Sequence, residues 1–244
     1  MKTAAPSAAE RAPLTAQIDH LVVAAASLAE GVQWCESVLG ITPGRGGDHA
    51  LMGTHNRLCT LACADFPATY LEIIAIHSGA PCARATWARR WFDLDDRELQ
   101  GRLGKTGPQL IHFVARTARL QAGVRALAAL GLDRGEVLAA SRHTPTGLLS
   151  WRISVRDDGQ RLFYGALPTL IDWGGDGMEH PTHSMAPSAV TLQSLQAQHP
   201  RPDALRAAYN AIGLSGVALS SGPPNLIATL QTPRGLVTLE SKGI

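Results

Sequence analysis

The hydrophobic pattern of the chain is dominated by one unit that occurs twice. In each copy, a short apolar segment containing one histidine is followed by an amphipathic segment of helical period, at residues 18–41 and 110–132. His20 and His112 occupy equivalent positions 92 residues apart, and the same spacing separates Gly31 from Gly123. Such a repeat predicts two copies of one strand–helix unit.

The helix of the first copy has clear end signals. Ser27 with Glu30 three residues later forms a capping box, and Gly40 is a typical C-terminal cap. Because side chains alternate along a strand, we expect His20 and His112 to point away from their helices, into the space that the sheet encloses. The helix faces predicted to be buried are Leu28, Val32, Cys35 and Leu39 in the first copy, and Leu120, Val124, Leu127 and Leu130 in the second.

Further strands are predicted after each helix. In the first copy they cover residues 54–64 and 69–78, and the second of them, YLEIIAIHS, holds Glu72 between apolar neighbours. A carboxylate in such a place is costly unless it is paired or bound to a cation. In the second copy, strands are predicted at 136–145, 148–156 and 161–173, and aligning TLIDW with YLEI lays Asp172 over Glu72. Pro168 leaves that register open.

These elements divide the chain into modules. Residues 1–16, rich in Ala, Pro and Ser, are expected to be a disordered tail. Residues 17–78 form a first βαβββ module, 79–107 a connector, and 108–181 a second module. Residues 182–244 repeat the pattern divergently, without a histidine in the first strand. We expect this third module to pack outside the other two, where it covers a sheet edge or makes a homodimer contact.

Composition and charge exclude several classes of function. The formal net charge is +2 and the arginines are scattered, so the basic patch of a nucleic-acid-binding protein is missing. No apolar run approaches the ~20 residues of a membrane span, and the first residues lack the apolar core of a secretory signal. The four cysteines lack zinc-type spacing. We therefore expect a cytoplasmic protein with free thiols and a small-molecule substrate or ligand.

The chain resembles the vicinal oxygen chelate superfamily, which includes glyoxalase I, extradiol dioxygenases and bleomycin-resistance proteins, and within it the bacterial glyoxalase-like domain group. The motifs that carry the resemblance are DHLVVAA with a helix ending LGI, MGTHNRL, YLEIIA, the RWFDLD of the connector, and LIDW followed by His180-Pro181. The resemblance covers about residues 18–181. It implies an α+β fold of repeated βαβββ modules, two of which form one cup-shaped sheet, with the third module divergent.

The resemblance also implies a divalent metal, Fe, Ni, Co, Mn or Zn, inside the cup. Carried over residue by residue, its ligands are His20, Glu72, His112 and Asp172, and Glu72 or Asp172 also serves as the catalytic base. Asp172 is one methylene shorter than the usual glutamate of the family. Without it, two histidines and one carboxylate remain, a set that favours non-haem iron.

Three further residues are candidates for substrate binding. Asn56 and Arg57 lie in the Gly-hinged MGTHNRL segment, where turn chemistry is the competing interpretation. Arg152 has the fork geometry of a carboxylate or phosphate clamp, and a solvated strand face is its alternative. Most histidines outside the repeat are interpreted as surface residues, although His180 can reach the rim of the cup.

Two classes of function stay open. The first is a divalent-metal-dependent lyase, isomerase or dioxygenase that acts on a small substrate with vicinal oxygens. The second is a metal-free protein of the same fold that sequesters a small molecule, as resistance proteins do. A buried Glu72 together with both repeat histidines favours the first, since a binding protein has no need of them.

Overall fold

The computed structural model describes residues 13–85, 87–144, 147–174 and 180–243. The first module follows the predicted order of strand, helix and three strands. Its helix α1 continues from Trp34 into a π-helical turn, Cys35–Leu39. The elements are β1 (Gln17–Ala24), α1 (Leu28–Trp34), β2 (Gly44–His49), β3 (Thr54–Thr60) and β4 (Tyr70–Ile76).

The connector contributes a helix, α2 (Arg97–Thr106), and the second module repeats the first. Its elements are β5 (Gln109–Arg116), α3 (Leu120–Ala128), β6 (Glu136–Thr144), β7 (Gly147–Val155) and β8 (Thr169–Asp172). A short 3-10 helix, Phe163–Gly165, lies between β7 and β8.

The two modules share one eight-stranded sheet with the order β2-β3-β4-β1-β5-β8-β7-β6. In each module the first strand pairs in parallel with the last, and the two first strands, β1 and β5, pair antiparallel at the centre. This arrangement relates the modules by an approximate two-fold axis. The sheet curls until its edges meet, since Arg142 of β6 donates to the Asn56 side chain of β3 at 3.2 Å. The α+β class and the cup are therefore confirmed.

Helices α1 and α3 pack on the outer face of the cup. Glycine permits close approach, because a Cβ on Gly31 would lie 2.4 Å from Cγ2 of Ile73. The π-helical turn keeps Leu39 fully buried. Val32 and Val124 are only half-buried. Leu130 follows the end of α3 and is 48% exposed, so its predicted burial was wrong.

The third module forms a separate four-stranded sheet against the same outer core. Its elements are β9 (Thr191–Gln198), α4 (Pro202–Ile212), β10 (Val217–Ser220), β11 (Asn225–Thr232) and β12 (Gly235–Glu240). The strand order is β10-β9-β11-β12, so its first strand lies inside the sheet between two of its own module's strands. Tyr209 of α4 anchors the module by donating to the carbonyl of Ala166 at 2.6 Å.

Part of the predicted tail packs against the third module. Residues 1–12 of the predicted tail lie outside the described residues, but Ala16 is buried and its amide donates to the Gly213 carbonyl at 3.3 Å. The segment just before β1 is thus tied to the third module. Among the described residues, no helix combines the length and the apolar character needed to cross a membrane.

Candidate functional site

The concave side of the sheet contains a cavity of about 550 Å³ whose lining includes three tryptophans. Trp91, Trp151 and Trp173 line it, and all three also border a smaller recess of about 30 Å³ at its base. The recess contains the polar residues of the cup. They are His20, His49, Asn56, Tyr70, Glu72 and Arg142.

His20 is held in one orientation by its neighbour in the chain. Asp19 lies at an irregularity of the β1–β5 ladder, and its Oδ1 accepts from Nδ1 of His20 at 2.6 Å. Its Oδ2 accepts from His180 Nε2 at 3.0 Å and from Trp173 Nε1 at 2.9 Å. Burial raises the pKa of Asp19, but the hydrogen bonds from His180 and His20 outweigh it and hold that pKa below its ordinary value. Asp19 is thus a carboxylate, and Nε2 of His20 faces the recess.

Glu72 projects from β4 between two imidazoles. Its Oε2 lies 3.6 Å from Nε2 of His20, and its Oε1 lies 3.9 Å from Nε2 of His49. Asn56 donates to Oε1 at 2.6 Å, while its own carbonyl oxygen accepts from the Gly47 amide at 2.9 Å. These bonds fix the amide orientation of Asn56 and the position of the carboxylate.

His49 is a neutral imidazole with its Nε2 lone pair turned inward. Burial lowers the pKa of His49 to about 4. Its Nδ1 lies 3.0 Å from Oγ1 of Thr54, and its Nε2 lies 3.3 Å from the donating Nδ2 of Asn56. The proton therefore sits on Nδ1, because Nε2 faces a donor.

The residue types of the first module suit a divalent metal. Two Nε2 atoms and a carboxylate converge, and the outer nitrogen of each imidazole is already hydrogen-bonded, as is usual for histidines that bind metals. Ligand atoms of one ion, each about 2.1 Å from it, lie about 3–4 Å apart. The distances of 3.6 and 3.9 Å agree with that separation for two of the three pairs, and 3.6 Å is too long for a hydrogen bond. The ligand atoms of His20, His49 and Glu72 do not all lie within 4.8 Å of one another, so a bound ion would draw these side chains closer together.

The structure does not bring His112 into this group. Both of its ring nitrogens have partners, since Nδ1 lies 2.8 Å from the Gly165 carbonyl and Nε2 accepts from the Thr169 amide at 3.1 Å. The strand register explains this. Val114 pairs with Thr169, so the partner that matches Glu72 in the second module is Thr169. The sequence alignment had placed Asp172 there, three residues further along.

A buried arginine makes the second half of the cup unsuitable for a cation. Arg134 is 2% exposed and donates to Oγ1 of Thr169, which also lies 3.1 Å from Nε2 of His112. Burial and the charge of Arg134 hold the pKa of His112 well below its ordinary value. A guanidinium beside this histidine opposes any metal ion there.

Asp172 lies at the rim of the cup instead of its base. Its Oδ2 accepts from Arg152, and its Oδ1 accepts from the Gly174 amide at 2.9 Å. Both side chains line the larger cavity. The predicted metal ligand and the predicted anion clamp are therefore partners of each other in this structure.

The other predicted substrate residues divide between the two faces of β3. Asn56 faces the recess, whereas Arg57 pairs with Ile73 on the outer, helix-bearing face. Arg142 reaches the recess from β6, and among the described residues its buried Nε has no hydrogen-bond partner. Within that part of the chain the Arg142 guanidinium is paired with no carboxylate, and the sequence pattern does not point to this position.

His49 and Asp19 were also missed. His49 follows a Gly-rich segment whose sequence is typical of a loop or a short, bent strand, and Asp19 belongs by simple alternation to the opposite face. Only a β-bulge reverses that alternation, and nothing in the local sequence marks it. His180 donates to Asp19, and its reach to the rim of the cup stays a prediction.

A separate cluster of metal-binding residue types lies on the outer face of the same strands. It consists of Asp48, His55 and His77, whose ligand atoms all lie within 4.8 Å of one another. Within the described ranges, this is the one group of three or more such residues that meets that distance.

Comparison with known proteins agrees with this architecture. A family model described as a glyoxalase-like domain matches residues 18–213. A hypothetical protein from Staphylococcus aureus overlays with a TM-score of 0.55 at 12% identity, covering 92% of this chain and 85% of that chain. This overlay shows a shared fold. A comparison with curated proteins gives no match.

Two epimerase structures overlay less closely. Methylmalonyl-CoA epimerase from Mycobacterium tuberculosis has a TM-score of 0.37 at 18% identity, covering 65% of this chain and 88% of that chain. Streptomyces coelicolor methylmalonyl-CoA epimerase, in complex with 2-nitronate-propionyl-CoA, has a TM-score of 0.41 at 20% identity, covering 69% and 99%.

The family match begins in β1 and ends after α4, so it spans most of the chain. It includes every residue that lines the recess and both βαβββ modules of the cup. Together with the motifs and the eight-stranded cup, it shows that the chain belongs to the glyoxalase-like domain family of the vicinal oxygen chelate superfamily.

Proposed function

We propose that the cup is the active site of a divalent-metal-dependent enzyme that acts on a small organic substrate with neighbouring oxygen atoms. The metal ligands in this proposal are His20, His49 and Glu72. The observation that carries it is the convergence of two Nε2 atoms on the Glu72 carboxylate, at 3.6 and 3.9 Å. The Asn56 amide donates to Oε1 of Glu72 and faces Nε2 of His49, and a cation would in addition neutralise the buried charge of Glu72.

The donor set favours iron among the five candidate metals. Two histidines and one carboxylate with open positions are typical of non-haem iron(II) oxygenases, so dioxygenase is the reaction class we place before lyase and isomerase. When bound, such an ion acts as a Lewis acid on substrate oxygens. His112 and Asp172 are no longer part of the proposed ligand set, because their polar atoms bind other partners.

The chain's own residues hold the parts of this site in place. Asp19 keeps Nε2 of His20 directed inward, and Asn56 holds Oε1 of Glu72. The Arg142 guanidinium supports a substrate with an anionic oxygen, such as a carboxylate or enolate, because its buried Nε has no hydrogen-bond partner among the described residues. Trp91 and Trp151 offer apolar walls for the carbon skeleton and exclude water.

Metal binding by tag-free protein tests the proposal. Fe(II), Co, Ni, Mn and Zn are added in turn to the His77→Ala protein. This substitution removes one histidine of the outer cluster, so that an ion bound there does not obscure the result. We expect one ion per chain, and its loss in His20→Ala, His49→Ala and Glu72→Gln. Asp172→Asn is the control and keeps the ion, since that carboxylate binds Arg152 at the rim. If Asp172→Asn loses the ion while His49→Ala keeps it, our ligand set is incorrect.

The alternative is a metal-free binding protein, and the two cationic side chains support it. Arg134 lies beside His112, and Arg142 lies in the recess, so both oppose a cation and favour an anionic ligand. If no metal binds to the wild-type cup, this function replaces the enzyme. Quenching of the cavity tryptophans by small carboxylates, and its loss in Arg142→Gln, then provides the direct test.

A further inference from the structure

The outer face of strands β2 to β4 carries polar residues directly behind the recess. Asp48 pairs with His55 across β2 and β3, and His55 pairs with Ala75 of β4. His77 follows β4, two residues after Ala75, on the same face. The neighbouring residues His49 and Asn56 face the cup, so the two polar groups lie on opposite sides of one sheet.

The three side chains already contact one another. Nδ1 of His77 lies 3.2 Å from Oδ1 of Asp48, and the rings of His55 and His77 stack with centroids 4.6 Å apart and planes 3° apart. Two imidazoles and one carboxylate from three separate segments thus meet at one point of the surface.

We propose that Asp48, His55 and His77 form a second divalent-metal site, independent of the cup, for a zinc-type ion. Histidine nitrogen and carboxylate oxygen are both ordinary zinc ligands, and water fills the fourth position of an open site. The ligand atoms lie within 4.8 Å of one another, and the half-exposed His77 can rotate to bring them to the about 3–4 Å of a bound ion.

The charge of the group favours metal binding. A neutral histidine offers a lone pair to a metal ion. Asp48 supplies one negative charge, which makes the group attractive to a cation and less so to an anion. Arg57 lies on the same face and opposes the ion weakly.

A metal in this position would fasten an edge strand. β2 is Gly-rich, lies at the end of the sheet and has an irregular register between Arg45 and Asp48. An ion shared by Asp48, His55 and His77 links it to β3 and to the end of β4. Since Asp48 immediately precedes His49, the same ion also steadies the backbone that carries a residue of the recess.

Zinc titration of the tag-free Glu72→Gln protein tests the proposal, because that change weakens the cup site and leaves the outer face intact. His20→Ala provides a second background in case Glu72→Gln folds poorly. We expect one Zn²⁺ per chain, and at least about tenfold weaker binding after His55→Ala or His77→Ala. His143→Ala, which removes an exposed histidine of β6, is the matched control and binds normally.

Hydrogen exchange gives a second readout. Zn²⁺ should slow exchange of the β2 amides in both backgrounds, and His77→Ala should abolish the effect. The proposal is overturned if neither background binds Zn²⁺, or if binding is unchanged by His55→Ala and His77→Ala. Failure of the cup proposal would give a different result. In that case no ion would bind whose affinity depends on His20 and Glu72.

Discussion

Asp19 determines the geometry of the recess although it does not line it. Its two oxygens accept from His20, His180 and Trp173, and its side chain is fully buried. It therefore connects β1 to the segment after β8 and selects the tautomer of His20. A buried carboxylate with three donors behaves as a fixed charge, which holds the imidazole it contacts in one orientation.

Replacing Asp19 by Asn should weaken metal binding in the cup. The amide cannot accept all three hydrogen bonds, so His20 loses the partner that directs Nε2 inward. We expect cup affinity to fall about 10–100-fold, as is common when such an outer partner is lost. Metal titration in the His77→Ala background measures it, with Asp172→Asn alongside. Equal affinity in Asp19→Asn and Asp172→Asn would contradict this role.

The buried histidines make the metal-free protein sensitive to acid. Burial lowers the pKa of His49 to about 4, and burial also holds the pKa of His112 well below its ordinary value. Below about pH 6.5 the unfolded chain takes up protons that the folded chain does not. The free energy of unfolding therefore keeps its full value above that pH and decreases as the pH falls toward 4.

The expected loss can be measured by urea unfolding at about pH 7.5 and pH 5. His49 alone should lower the free energy of unfolding by about 2 kcal/mol over that interval, and His112 adds to it. In His49→Gln the difference in the free energy of unfolding between the two pH values should be smaller by the amount that His49 contributes. A variant with the wild-type pH dependence would mean that His49 is protonated in the folded protein.

His20 and Glu72 could be predicted as site residues because each is polar within an apolar strand, which periodicity reveals. The corresponding pair of the second module, His112 and its partner on β8, could not be predicted. The partner of His112 depends on the pairing of β8 with β5, and Pro168 with the 3-10 helix shifts that pairing by three residues relative to the sequence alignment. His49 and Arg142 come together only because the edges of the sheet meet, a long-range event without a local signal.

At the scale of elements, the position of α1 depends on the absence of a side chain at Gly31. Gly31 is fully enclosed between the helix and β4, where a Cβ would lie 2.4 Å from Cγ2 of Ile73. Ile73 is β-branched and has little rotamer freedom to yield. Gly123 holds the equivalent position in the second module, 2.9 Å from Leu170, which explains why the repeat retains both glycines.

Gly31→Ala should therefore destabilise the protein by about 1–3 kcal/mol, although alanine is the better helix former. Gly101→Ala is the matched control, because Gly101 lies in α2 with nothing within 4 Å of its Cβ position. We expect that control to be neutral or stabilising by up to about 1 kcal/mol. Chemical denaturation of the two variants measures both free energies of unfolding. A Gly31→Ala protein as stable as the wild type would rule out the close approach of α1 to β4.

Element types followed from hydrophobic period, but some boundaries did not. The predicted face of α3 extended to Leu130, yet the helix stops at Ala128 and Leu130 turns to solvent. In α1 the π-helical turn places Cys35 and Leu39 four residues apart on the buried side. Such turns are decided by packing against the sheet, which the helical pattern alone does not contain.

At the scale of the molecule, the third module shares a core with the cup instead of standing apart. One continuous set of buried side chains includes Phe113 of β5 and Leu205 and Tyr209 of α4. The repeat predicted this module's elements from period and helix caps. Its strand order departs from that of the other two modules, because β9 pairs with both β10 and β11. The first strand of this module therefore has no free edge with which to pair with another module, as β1 does with β5.

The shared core predicts that the three modules unfold as one cooperative unit. All five tryptophans lie before residue 174, so tryptophan fluorescence reports on the cup and connector, whereas circular dichroism reports on the whole chain.

Leu205 is fully buried in α4, and Leu205→Ala should lower the free energy of unfolding by about 2–5 kcal/mol. The fluorescence and dichroism midpoints should shift together, although the substitution lies far from every tryptophan in sequence. Leu236→Ala, at a site that is 70% exposed in the same module, should leave both midpoints within the error of the melt. A third module that folds independently would instead give two transitions, with the fluorescence midpoint unchanged by Leu205→Ala.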